Sequence, residues 1–242
     1  MKVLLIVPAY NEEKNILKTY KDIVKYNNNN NKKEKYDIIV INDGSTDKTK
    51  EIIEENNIPH INLIHNLGIG GAVQTGYKYA YENNYDIAVQ LDADGQHDIN
   101  YVKNIIKPIV AEKYDLVIGS RYIDKNASDF KSTKARQYGI KIISFIMKIV
   151  AKKKIYDTTS GFRACNKKII KKFSNNYPTE YPEPITNTEL LKQGYSIKEV
   201  PVSMRARAGG KSSIRSWKNL YYMINVCLSI MMISIRRYKD GV

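Results

Sequence analysis

Asp92 and Asp94 stand one residue apart, directly after the apolar run Ile87, Ala88 and Val89. That run reads as a buried strand, so both carboxylates fall where the chain turns and stops alternating sides. Two carboxylates placed there can meet one hard cation, and Gln96 offers a third oxygen. Mg²⁺ and Mn²⁺ favour oxygen ligands and usually keep positions open for water and phosphates. The expected chemistry is a metal–diphosphate site. The plain alternative is a solvated Asp-Gly turn at Asp94 and Gly95, the commoner fate of such a triplet.

Three more junctions have the same form. Residues 8–13, Pro-Ala-Tyr-Asn-Glu-Glu, join an apolar run to a helical one, with Asn11 expected as the helix N-cap. Residues 42–47, Asn-Asp-Gly-Ser-Thr-Asp, follow the next apolar run. Asp43 there suits a base or ribose, and Asp47 suits the cap of the following helix. Residues 66–72 are glycine-rich and open a third helix. Backbone N–H groups at such a junction approach phosphates, but the Rossmann and P-loop spacings are absent. From these residues alone, close packing of the helix on a sheet is the better explanation of the glycines, Gly70 included.

The elements that must position these residues alternate. Strands are expected at 3–7, 36–41, 61–64, 87–91 and 116–118, with helices at 12–26, 47–56, 70–81 and 99–112. That order predicts an α/β fold with a mostly parallel sheet and helices on both faces. Ligands in such sheets bind beyond the carboxyl ends of the strands, where every junction above lies. Past Arg121 the alternation breaks down. Residues 126–175 read as basic and mostly helical around a Thr-Ser-Gly-Phe turn, followed by a helix at 188–193 and a strand at 197–202.

At 242 residues the chain suits one domain with elaborations. Lys and Arg outnumber Asp and Glu by 39 to 25, a formal charge of +14 that attracts nucleic acid, anionic membranes or phosphorylated molecules. No helix-turn-helix, zinc module or aromatic RNA platform is recognisable, which leaves a nucleic-acid-binding protein as a remote alternative. Two cysteines, Cys165 and Cys227, make no disulfide framework. The first apolar run is too short for a signal peptide, and a cytosolic location is expected.

Taken in order, segments 8–13, 43–47, 66–76 and 91–97, then Gly119-Ser120-Arg121-Tyr122 and Ser160-Gly161-Phe162-Arg163, resemble the family 2 glycosyltransferases of the GT-A fold. The likeness runs from residue 1 to about 215 and is strongest to the dolichol-phosphate-mannose synthases and bacterial polyprenyl-phosphate glycosyltransferases. It implies a catalytic domain over 1–212, with a nucleotide-sugar half at 1–125 and an acceptor half at 126–212. Pro8, Ala9, Tyr10, Glu12, Asp43, Gly70 and Ala93 would hold a UDP- or GDP-sugar. Asp92, Asp94 and Gln96 would hold Mg²⁺ or Mn²⁺ against its diphosphate. Arg121 and Arg136 would face phosphate oxygens, Arg207, Gly210 and Ser212 would close over the site, and Arg163 would join the acceptor phosphate.

The implied reaction is inverting transfer of a hexose or N-acetylhexosamine to a polyprenyl phosphate, undecaprenyl or dolichyl. Metal and arginines neutralise the departing diphosphate, and a lipid phosphate acceptor needs no strong base. A saccharide hydroxyl is the alternative acceptor and would need a base, for which Asp157, Glu183 and Glu189 are candidates. Two apolar, basic-flanked stretches, 139–154 and 220–235, suit interfacial helices at the cytoplasmic face of a membrane, the second within a C-terminal segment 213–242. The latter stretch is shorter than the roughly 20 residues needed to span a bilayer. A small integral-membrane partner or a homo-oligomer is therefore expected.

Overall fold

The computed structural model describes residues 1–30, 35–123, 134–204 and 216–236, giving the backbone alone at 134–136 and 216–220. Its centre is β1 (Val3–Ala9), whose seven residues are all buried. Alternate residues of a strand face opposite sides of a sheet. Val3, Leu5 and Val7 accordingly enter one core, while Leu4 and Ile6 enter another.

Helices α1 (Ile16–Asn29), α2 (Thr49–Glu55) and α4 (Val102–Glu112) cover the first face, and α4 is entered through a 3₁₀ turn at Ile99–Tyr101. The second face carries α3 (Gly68–Glu82), α5 (Lys134–Ala151), α6 (Lys167–Asn175), α7 (Pro182–Lys192) and α8 (Ser216–Ile235). Helix α8 packs on α5 and α7, so it joins the second core through Val226 and Ile230.

Among the described residues one sheet of seven strands runs in the order β3-β2-β1-β4-β6-β5-β7. The other members are β2 (Asp37–Asn42), β3 (His60–Asn62), β4 (Ile87–Gln90), β5 (Leu116–Ser120), β6 (Arg163–Asn166) and β7 (Ile197–Pro201). All pairings are parallel except those of β6, which runs antiparallel to both β4 and β5. The mostly parallel α/β sheet expected from the alternation is present. Strand β6, inside a segment read as mostly helical, is not legible in a run of only four residues.

The expected cap of α1 is a correction. Asn11 has a left-handed φ of 56°, and α1 starts only at Ile16. Its Oδ1 instead accepts from the backbone N–H groups of Thr46, at 2.8 Å, and Asp47, at 3.3 Å. One short polar side chain thereby ties together the loops that follow β1 and β2. Asp47 does serve α2, its Oδ1 accepting from the Thr49 N–H at 2.9 Å.

Candidate active site

Strands β1, β2, β4 and β5 end on the same edge, and antiparallel β6 begins there. Tyr10, Asp43, Asp92 and Arg121 therefore converge from four separate stretches of chain. The strand order reverses between β1 and β4: β1 connects through α1 to β2 on one side, and β3 crosses through α3 to β4 on the other, as expected of a binding edge.

The loop after β4 is tightly made. Asp94 Oδ1 accepts from the Gln96 N–H at 3.0 Å, and the Ala93 carbonyl accepts from Thr19 Oγ1 at 2.9 Å. Gly95 takes φ 75°, which favours a residue without a β-carbon. His97 is buried and stacked on Phe162, ring centroids 4.8 Å apart. The Asp92 N–H donates to His97 Nδ1 at 3.0 Å, which leaves the proton on Nε2, 3.7 Å from Asp92 Oδ2. Burial lowers the pKa of His97 to about 4, with the Asp94 charge opposing, so the imidazole is neutral. The turn reading is thus true of the backbone, while Asp92 and Asp94 remain half-buried at the edge.

Their chemistry fits a hard divalent ion. No cluster of three or more His, Cys, Asp or Glu side chains suited to a metal occurs among the described residues. Two carboxylates without sulfur or a third acid suit Mg²⁺ or Mn²⁺, which take remaining ligands from water and phosphate.

On the nucleotide side, Pro8 and Ala9 are buried in β1 and Tyr10 is 47% exposed beyond it. Glu12 Oε2 accepts from Asn15 Nδ2 at 2.7 Å. Asp43 is buried, and its Oδ1 accepts from the Leu67 N–H at 2.7 Å, joining the β2 edge to the start of α3. Burial raises its pKa, and the Leu67 and Gly68 N–H groups work against that rise.

Gly70 is a correction. Its N–H donates to the Thr179 carbonyl at 3.2 Å, and an added Cβ would meet Pro178 O at 2.1 Å. The glycine serves helix packing, and its amide is spent within the protein. Ala93 likewise faces the core.

Arg121 is 7% exposed and gripped by Asp157, which has no exposure at all. Nε and Nη2 donate to the two carboxylate oxygens at 2.7 Å each, and the Arg121 backbone N–H adds a third bond at 3.0 Å. Burial alone would lower the Arg121 pKa, but Asp157, with smaller help from Tyr122 and Asp92, raises it overall. Asp157 is therefore corrected from a candidate base to the fixed partner of Arg121. Glu189 is corrected likewise, its Oε1 lying 3.2 Å from Arg236 Nη1 in an ion pair.

Arg163 is also corrected. It has no exposed surface, so it does not face an acceptor. Its guanidinium donates to Gln90 Oε1 at 3.4 Å, to Thr186 Oγ1 at 2.9 Å and to the Tyr177 hydroxyl. The antiparallel register puts it beside Gln90 and turns it inward. Glu183 lies near the same group. Burial raises its pKa, Arg163 opposes and the Asp92 charge adds to the rise.

The side chain of Arg136, in the first turn of α5, and all of Arg207, Gly210 and Ser212 lie outside the described residues. Sequence reasoning missed His97 and Glu199 as supports of the edge. Neither is marked by type or spacing: His97 bonds within its own loop and stacks on Phe162, and the partners of Glu199 lie 42 and 43 residues away.

Beside Arg121 opens a cavity of about 830 Å³ lined also by Tyr122, Ile140, Lys141, Phe145, Lys148 and Lys154. It lies between the end of β5 and helix α5. Helix α5 contributes both cationic and apolar side chains to its lining.

The family described as Glycosyl transferase family 2 matches residues 4–174. The chain is 36% identical over 83% of its length, and 84% of the relative's, to a UDP-N-acetylglucosamine–dolichyl-phosphate N-acetylglucosaminyltransferase of Methanococcus voltae. It is 30% identical to a dolichol-phosphate mannosyltransferase of Pyrococcus furiosus, covering 93% of this chain and 63% of that one. Among solved structures, glucosyl-3-phosphoglycerate synthase of Mycobacterium tuberculosis, in complex with Mn²⁺, UDP-glucose and phosphoglyceric acid, superposes with a TM-score of 0.67. At 17% identity, over 96% of this chain and 79% of that one, the likeness is one of fold.

Proposed function

We propose that this chain, which belongs to glycosyl transferase family 2, moves a sugar with inversion from a nucleotide donor to a polyprenyl phosphate at a membrane surface. The observation that carries this reading is the cavity beside Arg121, with Lys141 and Lys148 on a wall shared with Ile140 and Phe145. A phosphate head with an apolar tail matches such a lining. The dolichyl-phosphate relatives support the same acceptor, and the relative from Methanococcus voltae makes UDP-N-acetylglucosamine the first donor to try.

Asp92 and Asp94 would hold Mg²⁺ or Mn²⁺, with Gln96 beside them. Bound there, the ion neutralises charge developing on the departing diphosphate. The protein's own residues do the rest. Asp43 orders the loop at the start of α3, Tyr10 offers an exposed ring beyond β1, and Arg121 lines the cavity within electrostatic reach of Asp92. A phosphate monoester is largely dianionic at neutral pH, its second pKa being about 6, so it attacks without a base.

The membrane reading rests on two stripes. Tyr138, Phe145 and Ile149 of α5 are exposed, as are Tyr221, Ile224, Leu228, Met231 and Ile235 of α8, which packs on α5. Exposed lysines at 141, 148 and 152–154 stand nearby in sequence, which suits an anionic lipid surface. No helix among the described residues is long and apolar enough to cross a membrane.

Transfer to a saccharide hydroxyl is the second reading, favoured by one observation. Glu183 has a raised pKa and lies within electrostatic reach of Asp92, as a general base would.

The test is a screen of UDP- and GDP-sugars with a prenyl phosphate, with and without Mn²⁺. Metal-dependent appearance of an organic-extractable, acid-labile sugar lipid is expected. Product on saccharides alone, abolished by Glu183→Gln with donor binding intact, would move the assignment to the hydroxyl acceptor.

A further inference from the structure

The three bonds from Arg121 to Asp157 have a second tier behind them. Glu199 lies on β7, paired with Ile118 of β5; its carboxylate takes a side-chain hydrogen bond from Ser120 and, with both oxygens, two backbone N–H groups of one loop. Oε2 accepts from the Tyr156 N–H and Oε1 from the Asp157 N–H, each at 2.8 Å. Two successive amides are thus held by one carboxylate, and the second belongs to the residue that grips Arg121. Thr159 Oγ1, two residues on, accepts from Arg121 Nη2 at 3.2 Å.

We propose that Glu199 is a positioning residue for Arg121: by holding residues 156 and 157 to β7 it fixes the plane in which the guanidinium meets the cavity, and so sets affinity for the acceptor's phosphate. The link to the acceptor rests on the function proposed above; the mechanical link does not.

A bidentate carboxylate–guanidinium pair fixes the guanidinium plane only as well as the carboxylate is fixed. Asp157 lies outside any strand or helix, between α5 and β6, so its backbone needs an anchor from elsewhere. Edge strand β7 supplies it, through charge-assisted bonds to N–H groups that are stronger than neutral ones. A buried ion pair adds little net stability over an apolar pair of like volume, so its geometry is the larger gain.

The test uses the full chain with Glu199→Gln and Glu199→Ala. Glutamine keeps one carbonyl acceptor but presents its own N–H groups to the second amide, and alanine removes both acceptors. Two readouts are needed. The first is hydrogen exchange at Arg121 Nε–H by NMR, its signal assigned by loss in Arg121→Lys. We expect slow exchange in the parent protein and at least about tenfold faster exchange in both variants. Unchanged exchange in Glu199→Ala overturns the proposal whatever the substrate.

The second readout is steady-state kinetics. KM for a prenyl phosphate should rise about tenfold, with KM for the nucleotide sugar and Mn²⁺-supported UDP binding within twofold. An equal loss on donor and acceptor sides would mark a purely structural role and also overturn it. If exchange accelerates but the parent protein makes no prenyl-linked product, the clamp stands and the acceptor assignment fails.

Discussion

Gly161 lies against Asp92 so closely that a β-carbon on it would stand 3.1 Å from Asp92 Oδ1 and 3.3 Å from Oδ2. It would also come within 3.1 Å of Gln90 Nε2. The turn before β6 is thus packed on the carboxylate that the sequence marks as a metal ligand, and a methyl there would press on it.

Gly161→Ala should therefore act on catalysis more than on folding. The methyl must displace Asp92 or move the turn by a few tenths of an ångström. Turnover should fall at least about tenfold, while overpacking costs on the order of 1–3 kcal/mol of stability. Parallel kcat/KM and urea-denaturation measurements on the variant check this.

Asp92→Asn and Asp94→Asn keep shape and remove charge. If both carboxylates hold the ion, each should cut turnover about 100-fold or more, near 3 kcal/mol of transition-state stabilisation. Each should also abolish the tightening of UDP binding by Mn²⁺, read by calorimetric titration, with little change in Tm. Unimpaired turnover in both would remove the metal site from this account.

The Arg121–Asp157 pair gives a stability prediction. Asp157→Ala leaves a buried guanidinium without its main partner, and such losses cost about 3–5 kcal/mol. The double variant Arg121→Met with Asp157→Leu should recover most of that stability by denaturation and none of the activity.

Gly70 separates packing from nucleotide binding. Gly70→Ala drives a methyl into Pro178 O and the backbone of Thr179, at 2.1 and 2.5 Å. A loss of about 1–3 kcal/mol is expected, with UDP affinity within a few-fold among the molecules that remain folded. Lost affinity at full stability would restore Gly70 to the nucleotide site.

Cys165 carries a pH prediction. Burial pushes its thiol up to about 12 from an ordinary 9.0, with Arg163 opposing. The unfolded thiol ionises near 9 and the folded one near 12, so its contribution to stability is intact below 9 and fades as pH rises between the two. Wild type should lose up to about 1.4 kcal/mol more per pH unit in that window than Cys165→Ala, measured by denaturant midpoints. At pH 8 a thiol reagent should label native Cys165 on the order of 100-fold more slowly than the same residue in urea.

Much of this molecule is local in origin. The apolar runs that make β1, β2 and β4 are contiguous, and the polar junctions after them fall at strand ends because burial stops there. The period of the pattern alone placed Tyr10, Asp43, Asp92 and Arg121 on one edge, and their order carried the family likeness. Asn11 shows where local reading stops. A capping residue and a residue bridging two loops have the same composition, and the partner 35 positions away decides which it is.

The amino-acid order by itself determined the alternating α/β sheet, the acidic pair at its edge and the basic, apolar character of α5 and α8. Only the tertiary structure decided which charges face outward. Antiparallel β6 buries Arg163 beside Gln90, Asp157 takes Arg121, and Glu199 secures the loop between them. A charged side chain looks alike in sequence whether it ends in water or against a counter-charge. Register and long-range pairing set its surroundings, and those belong to the folded chain.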